Sequence, residues 1–593
     1  MNSFKNYIMR RKFKSYIVAG LLLVSMTNCK DYLEINPKGV ITEEQLASPE
    51  YTDGLVTAAY AHAPRVGAFD TMNPWIASLR SDDAYKGGGG LDDQPAWYQM
   101  EVFSLVNPNV GNNDGVWFMA YSGISRMNTA INAINRMDEA LYPVKTQRLA
   151  EMRFLRGWMH LKLKQRYKWI PYIDENATAE EIPEISNRPD DAVNDLALWQ
   201  KIYDDFKFAA ENLPESQAEV GRPTKYAAEA FLVKTLLWMA YPQDDKHQVT
   251  GIDAQKLTEA LEYCNSIINS GKYSLATDFG HNFMLEYDNK SPETIWELQF
   301  TIDDGTPRGN LNEGNGLTAP WWNPYFSCCD FHKASYNMVN AFRVDENGLP
   351  LFDTFNNAEI TVDKDAETTN EMQYFADNNW DPRLGHTVAI PDFPWKYQEV
   401  LFDSAGSRQP ATYGYFHSMK ENVTTNSTGL YDAFWMFNSK NQQEVRYAEV
   451  LLWKAEILIQ LGNHQEALPI INQLRERAAN STAMLKLPDG ALPVNYVVAP
   501  YVDGVNINWT KENAWEALVW ENRLEMAMEG RRFYDLVRWG IAAEVMNAYF
   551  EKESQRRSWL DIAFFTEGRD EYLPIPQAQI NWSQGVYKQN VGY

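Results

Sequence analysis

Two stretches of the 593-residue sequence set aromatic side chains among turn-forming residues. The first, residues 81–113, holds Tyr85, Trp97 and Tyr98 together with the run Gly87-Gly88-Gly89-Gly90; the second holds Trp321, Trp322, Tyr325 and Phe326. A sugar ring offers a face of C–H groups that stacks on an aromatic ring, while polar neighbours meet its hydroxyls, so aromatic residues in loops suit glycan capture. For any one of these rings, anchoring its loop to a scaffold is the slightly favoured role. The cluster as a whole, and Trp321-Trp322 above all, is expected to leave at least one platform exposed. Cys328 and Cys329 follow directly. In an oxidising compartment an adjacent pair can close a small flat ring with an apolar face; two buried free thiols are the other reading.

Signatures of other chemistry are missing. None of the eight histidines opens a His-Glu-x-x-His zinc motif, and there is no Gly-x-Ser-x-Gly elbow and no Walker loop. Gly314-x-Gly316-x-x-Ala319 imitates a dinucleotide loop, but Pro320 follows it and no apolar strand precedes it. Cys329, Asp330 and His332 match no zinc-ligand spacing, so no metal and no cofactor is expected. With 79 acidic residues some carboxylates must fall at glycosidase spacing, and their number says nothing about hydrolysis.

The amino terminus carries Lys5, Arg10, Arg11, Lys12 and Lys14 ahead of a short apolar run, residues 16–24, that ends at Ser25-Met26-Thr27-Asn28-Cys29. Residues 1–28 read as a lipoprotein signal peptide, too short to span a bilayer stably, with Cys29 as the acylated residue; ordinary cleavage leaving an unmodified cysteine is the other reading. Asn28 departs from the small residue usual at that position. Acyl chains contribute ~0.8 kcal/mol per buried methylene and hold a soluble domain on a membrane without a spanning helix. Beyond residue 28 the chain has 49 basic and 79 acidic side chains, a net charge of −30. That balance argues against a nucleic-acid partner, which would need a basic surface, and more weakly against acidic polysaccharides.

The elements that must position the loops are helices. From Asp114, Trp117, Tyr121, Ile124 and Asn128 share one helical face, continued by Ile131 and Ile134; a second helix over 146–168 carries Met152, Leu155, Met159 and Leu163. Together they form an antiparallel hairpin. Helices follow over 190–212, 225–241 after Gly221-Arg222-Pro223-Thr224, and 253–269, then 446–461 and 464–479 around a stop at Gly462-Asn463. Pairs repeating at about 34 residues resemble tetratricopeptide units, and a generic helical bundle is equally compatible. Between Tyr273 and Arg446 the helical period fails, and runs such as Ile295-Trp296-Glu297-Leu298 alternate. The fold class is therefore mainly α: a tetratricopeptide-like hairpin scaffold with a loop-rich insertion carrying short strands. Residues 29–593 make a single domain, divided into 29–272 with the early loop 81–113, the insertion 273–445, and the C-terminal hairpins 446–593.

Several runs together resemble the RagB/SusD family of Bacteroidetes surface glycan-binding lipoproteins. They are Arg446-Tyr447-Ala448-Glu449-Val450-Leu451-Leu452 with Ala455-Glu456, the segment from Ile471 to Ala478, Trp520-Glu521-Asn522-Arg523-Leu524-Glu525, and Glu529-Gly530-Arg531-Arg532-Phe533-Tyr534-Asp535-Leu536-Val537-Arg538-Trp539-Gly540. Tyr572-Leu573-Pro574-Ile575-Pro576, Gly221-Arg222-Pro223-Thr224 and Asp381-Pro382-Arg383 extend the match along the chain. Arg and Glu three or four apart between Arg523 and Arg531 are expected to pair along one helix face, and Asp535 to offset Arg538; these residues hold the fold. The resemblance implies a SusD-like fold and a non-catalytic role at the cell surface: capture of a glycan ligand as the lid of a SusC-like TonB-dependent transporter, with the lipid anchor in the outer membrane. It implies a site drawn from the early loop and the insertion, hence Trp97, Tyr98, Trp321, Trp322 and Tyr325 for stacking, Asp83 and Asn323 for hydroxyls, and Cys328-Cys329 beside them. The alternatives are a surface glycoside hydrolase or lyase, and a lid for peptide cargo.

Overall fold

The computed structural model describes residues 48–67, 74–189, 194–306, 309–360, 370–431 and 435–593. The signal segment and Cys29 lie outside the described residues. Among those described, no helix is long and apolar enough to cross a membrane. Residues Asp53–Tyr593 form one compact unit.

That unit is mainly helical. Its principal helices are α1 (Pro95–Val102), α2 (Asn113–Arg136), α3 (Lys145–Tyr167), α4 (Leu196–Asn212), α5 (Lys225–Ala240), α6 (Ala254–Asn269), α7 (Tyr447–Gln460), α8 (His464–Ala479), α9 (Lys511–Met526), α10 (Arg532–Trp539) and α11 (Gln577–Trp582). Each of α2 to α6 packs on the next, α6 packs on α7, and α7 packs on both α8 and α9. The tetratricopeptide-like stack thus runs unbroken across the insertion. Position in the stack explains composition. α5 lies between α4 and α6 and is buried nearly all round, which requires its run of Ala, Leu, Val and Phe. The hydroxyl of Thr224 accepts from the Ala227 N–H, and Asp253 accepts from the Gln255 and Lys256 N–H groups, closing the starts of α5 and α6. α4 begins at Leu196 and not at 190, because Asn194 and Asp195 are turned to local use: Asn194 accepts from the Leu196 N–H and Asp195 pairs with buried Lys164.

The strands are short. β1 (Ala84–Gly87) pairs antiparallel with β3 (Phe331–Ala334), and β2 (Thr294–Leu298) with β4 (Gln442–Arg446). The β2–β4 register places Leu298 opposite Gln442, so the insertion leaves the scaffold and returns to it at one point. The Phe300 N–H donates to the Asn441 side chain 2.9 Å away just beyond that pairing.

Glu521, Glu525 and Glu529 do not pair along a helix face of their own. Glu525 meets Arg446 at 2.6 Å, Arg383 at 3.1 Å and Arg477; Glu521 meets Arg383 at 2.5 Å and Arg475 at 3.4 Å; Glu529 meets Lys420 at 2.7 Å and Arg446 at 3.0 Å. Glu293, ahead of β2, closes the knot against Arg446 and Arg477. Arg523 turns instead to Asp82 in the early loop, and Arg531 to Glu449. α9 stops at Met526, so no continuous helix face runs from Arg523 to Arg531, and each charge takes a partner from another segment. The expected Asp535–Arg538 pair does form, at 2.9 Å. Burial alone would raise Glu525 and Glu529, but surrounding cations outweigh it: Arg477, Arg446 and Arg383 hold Glu525 far below the usual carboxylate range, and Arg446 and Lys420 hold Glu529 at about 2.

Candidate functional site

β1–β3 pairing carries the early loop onto the insertion. Gly87 lies opposite Phe331, and the Gly88 N–H donates to the Asp330 carbonyl at 2.8 Å. A side chain has no room there: a Cβ on Gly88, whose φ is +78°, would sit 2.5 Å from the Phe331 ring. Beneath this loop the Lys86 ammonium donates to the carbonyls of Gly90, at 2.7 Å, and Asp93, while the Lys86 N–H donates to Glu101. Burial lowers Lys86 and raises Glu101.

The insertion side is anchored by buried Asp330, which accepts from Lys333 at 2.9 Å, from His417, and from the Arg408 backbone N–H at 2.6 Å. Burial would raise its carboxyl, but Lys333 and His417 outweigh that and hold it below the usual range. The Arg408 side chain returns to the surface. Its guanidinium lies 4.9 Å from the centre of the Trp321 ring and reaches Asp93 at 2.9 Å, and Asp93 also accepts from the Gly89 N–H at 2.7 Å. Trp321, Arg408, Asp93 and Gly89 therefore make one continuous surface from three remote segments. The Trp321 indole is 44% exposed, with its backbone N–H held by the Gly406 carbonyl.

The sequence-derived residues divide. Trp321 and Asn323 are exposed and Tyr325 is half-buried. Trp322, 5% exposed, points the other way, into a small core with Trp395, Phe402, Phe326 and Met419. Tyr325 rests edge-on against it. Cys328 and Cys329 are joined by a disulfide, with Cys328 half-buried against this core and Cys329 buried. Trp97, 1% exposed, lies on α1, which Pro95 initiates, and meets the Phe331 ring edge-on; it fills the space under the β1–β3 ribbon and offers no face to a ligand. Asp83 is likewise buried, beside Arg523 and Arg532, and accepts from the Met528 N–H. Neither of these two residues reaches the surface. Tyr98 is half-buried, donates to the Trp559 carbonyl at 2.9 Å and packs on the Trp559 ring, which Tyr413 also meets. Sequence reasoning missed Arg408, Asp93 and Trp559. No motif surrounds them, and Asp93 and Arg408 are 315 positions apart.

A family model described as the SusD family matches residues 292–593, about half of the chain. The chain belongs to the SusD family. A second model, described as starch-binding associating with outer membrane, matches residues 71–237, so the SusD signature includes both the early loop and the first hairpins. SusD-like protein P2 of Formosa agariphila is 23% identical over 98% of this chain and 100% of its own. Among solved structures, surface glycan-binding protein A from Bacteroides fluxus superposes with a TM-score of 0.66 at 21% identity, covering 92% of this chain and 100% of that one. Surface glycan-binding protein A from Bacteroides thetaiotaomicron, in complex with laminarihexaose, does so with a TM-score of 0.60 at 21% identity, covering 92% and 99%. At these identities the likeness is one of fold, and it bears out the mainly helical SusD-like architecture.

Proposed function

We propose that this protein captures a neutral glycan at the cell surface without cleaving it and passes it to a TonB-dependent outer-membrane transporter, over which it sits as a lid. The observation that carries the binding reading is the exposed Trp321 indole, backed by the Arg408–Asp93 pair on the joint between early loop and insertion. An exposed ring next to a planar donor and a carboxylate matches a sugar's C–H face and its vicinal hydroxyls. Tyr325 and Asn323 extend the surface, with the disulfide ring beside them and Tyr98 on Trp559 as a second aromatic element. Trp322 supports the site from beneath. The similar structures, two surface glycan-binding proteins of which one is bound to laminarihexaose, support the ligand class. Delivery to the transporter and anchoring through Cys29 rest on the family resemblance and on the signal segment.

Calorimetry of the protein lacking residues 1–29 against neutral polysaccharides, laminarin included, tests the reading. One glycan is expected to bind with millimolar to micromolar affinity, about −4 to −8 kcal/mol, and without release of reducing ends. Loss of that binding in a folded Trp321→Ala variant places the ligand on the loop. Reducing-end release would make the protein a hydrolase or lyase, and selective binding of peptide pools would replace glycan with peptide as the cargo.

A further inference from the structure

On the helical scaffold, α2, the segment 174–182 and α11 enclose an open groove of about 740 Å³, within the range of small-molecule sites. Its floor is one stripe of α2. Phe118, Ser122, Ser125, Thr129 and Asn132 recur at helical spacing and all face it. Short hydroxyl and amide side chains there, where a solvated helix face usually carries Lys and Glu, leave room above the helix and present donors and acceptors. Two aromatic rings complete the groove, Phe118 at 65% exposure and Trp582 on α11 at 50%.

The walls are built and held. Tyr121 donates to the Pro171 carbonyl at 2.7 Å, Asn128 to Ile173 at 3.1 Å and Asn132 to Glu175 at 2.8 Å, fixing the segment 171–175 along α2. Gln579 donates to Asp114 at 2.7 Å, tying α11 to the start of α2. The Trp582 ring rests on buried Tyr587, which in turn rests on buried Trp117. An indole braced in this way stays exposed at low entropic cost to a ligand that stacks on it. Arg126, Asp174 and Glu175 line the groove, and Glu175 is paired with Arg156, so neither sign of charge dominates it.

We propose that this groove is a second glycan-binding site, taking a neutral oligosaccharide between Phe118 and Trp582 with hydroxyls on the Ser122–Asn132 stripe, independently of the Trp321 surface. It takes only its ligand class from the reading above. A second weak site on one chain would raise retention of a long polysaccharide by multivalency without tightening either site.

The full chain in detergent is titrated calorimetrically with laminarihexaose, maltohexaose, cellohexaose and mannohexaose, as wild type, Trp321→Ala, Phe118→Ala/Trp582→Ala, and Ser125→Arg, which obstructs the floor. All four positions are exposed, so unchanged thermal unfolding is expected throughout. The proposal requires that Trp321→Ala still bind at least one hexasaccharide, and that Phe118→Ala/Trp582→Ala and Ser125→Arg, each added to Trp321→Ala, weaken binding of that sugar at least about tenfold. Binding abolished by Trp321→Ala alone overturns the groove and leaves the loop site standing. Binding untouched by Trp321→Ala but abolished by both groove variants upholds the groove and overturns the loop site. Binding unaffected by either groove variant overturns this proposal.

Discussion

The Glu525 knot and the Trp321 surface are both assembled from segments far apart in the sequence, and they treat their charged groups in opposite ways. In the knot, Glu293, Glu521, Glu525 and Glu529 face Arg383, Arg446, Arg475, Arg477 and Lys420, all of them buried except the half-buried Glu529, and every carboxylate is shared by two or more cations. At the Trp321 surface a single guanidinium meets a single carboxylate in partial exposure, with a ring left open beside them. A buried charge without its partner is costly, so each member of the knot must be the residue it is. A half-exposed pair in water contributes little to stability and can differ with the ligand. The runs that identify the family therefore hold the insertion to the scaffold, and the proposed ligand surface lies where no motif runs.

The largest break in this contrast is expected from Glu525→Gln, which replaces the carboxylate shared by Arg383, Arg446 and Arg477 with a neutral amide; a loss of about 3–5 kcal/mol in denaturant unfolding is expected. The same groups set the acid limit. Glu525 and Glu529 have folded-state values depressed below their ordinary 4.5, to about 2 for Glu529. Their stabilisation is complete above about pH 4.5 and is lost as pH falls through the folded values. Circular dichroism between pH 5 and pH 2 should show a progressively lower denaturation midpoint, whereas a flat profile would mean that the knot is not ionised as described.

Two neighbouring residues sharpen the comparison next. Trp322→Ala empties the small core beside Trp395 and Phe402, with an expected loss of about 3–5 kcal/mol. Trp321→Ala should stay within about 0.5 kcal/mol of wild type in stability while removing glycan binding at the loop. Equal stability losses for the two would contradict the up-and-down placement. Gly88→Ala, at φ +78° and against the Phe331 ring, should cost about 1–2 kcal/mol and weaken binding by displacing the early loop. The smallest effect is expected for Arg408→Lys, which keeps the charge but loses the planar stack on Trp321; affinity should fall about threefold at unchanged unfolding temperature.

Much of the scaffold could be read along the chain because helix periodicity is a local property. α3, α5, α6 and α8 fall within one or two residues of their expected bounds, and Thr224 caps α5 at the end of the expected start signal. Less of the site could be read. Trp97 and Asp83 have the residue types of a sugar site and the burial of a core. Composition cannot distinguish these cases, since the same indole fills space beneath Phe331 or stacks on a ligand according to which segment arrives above it. Arg408 carried no signal at all in its own neighbourhood.

The sequence by itself determined the stack of helical hairpins and the insertion's place between Tyr273 and Arg446, because spacing and turn residues act over a few turns of chain. Only the tertiary structure decided which of Trp321 and Trp322 faces water, which arginines Glu525 meets, and that Asp93 joins Arg408. Those outcomes depend on β1 meeting β3 and β2 meeting β4 across more than a hundred residues, and on the neighbours those pairings bring within 5 Å of an indole or 3 Å of a carboxylate.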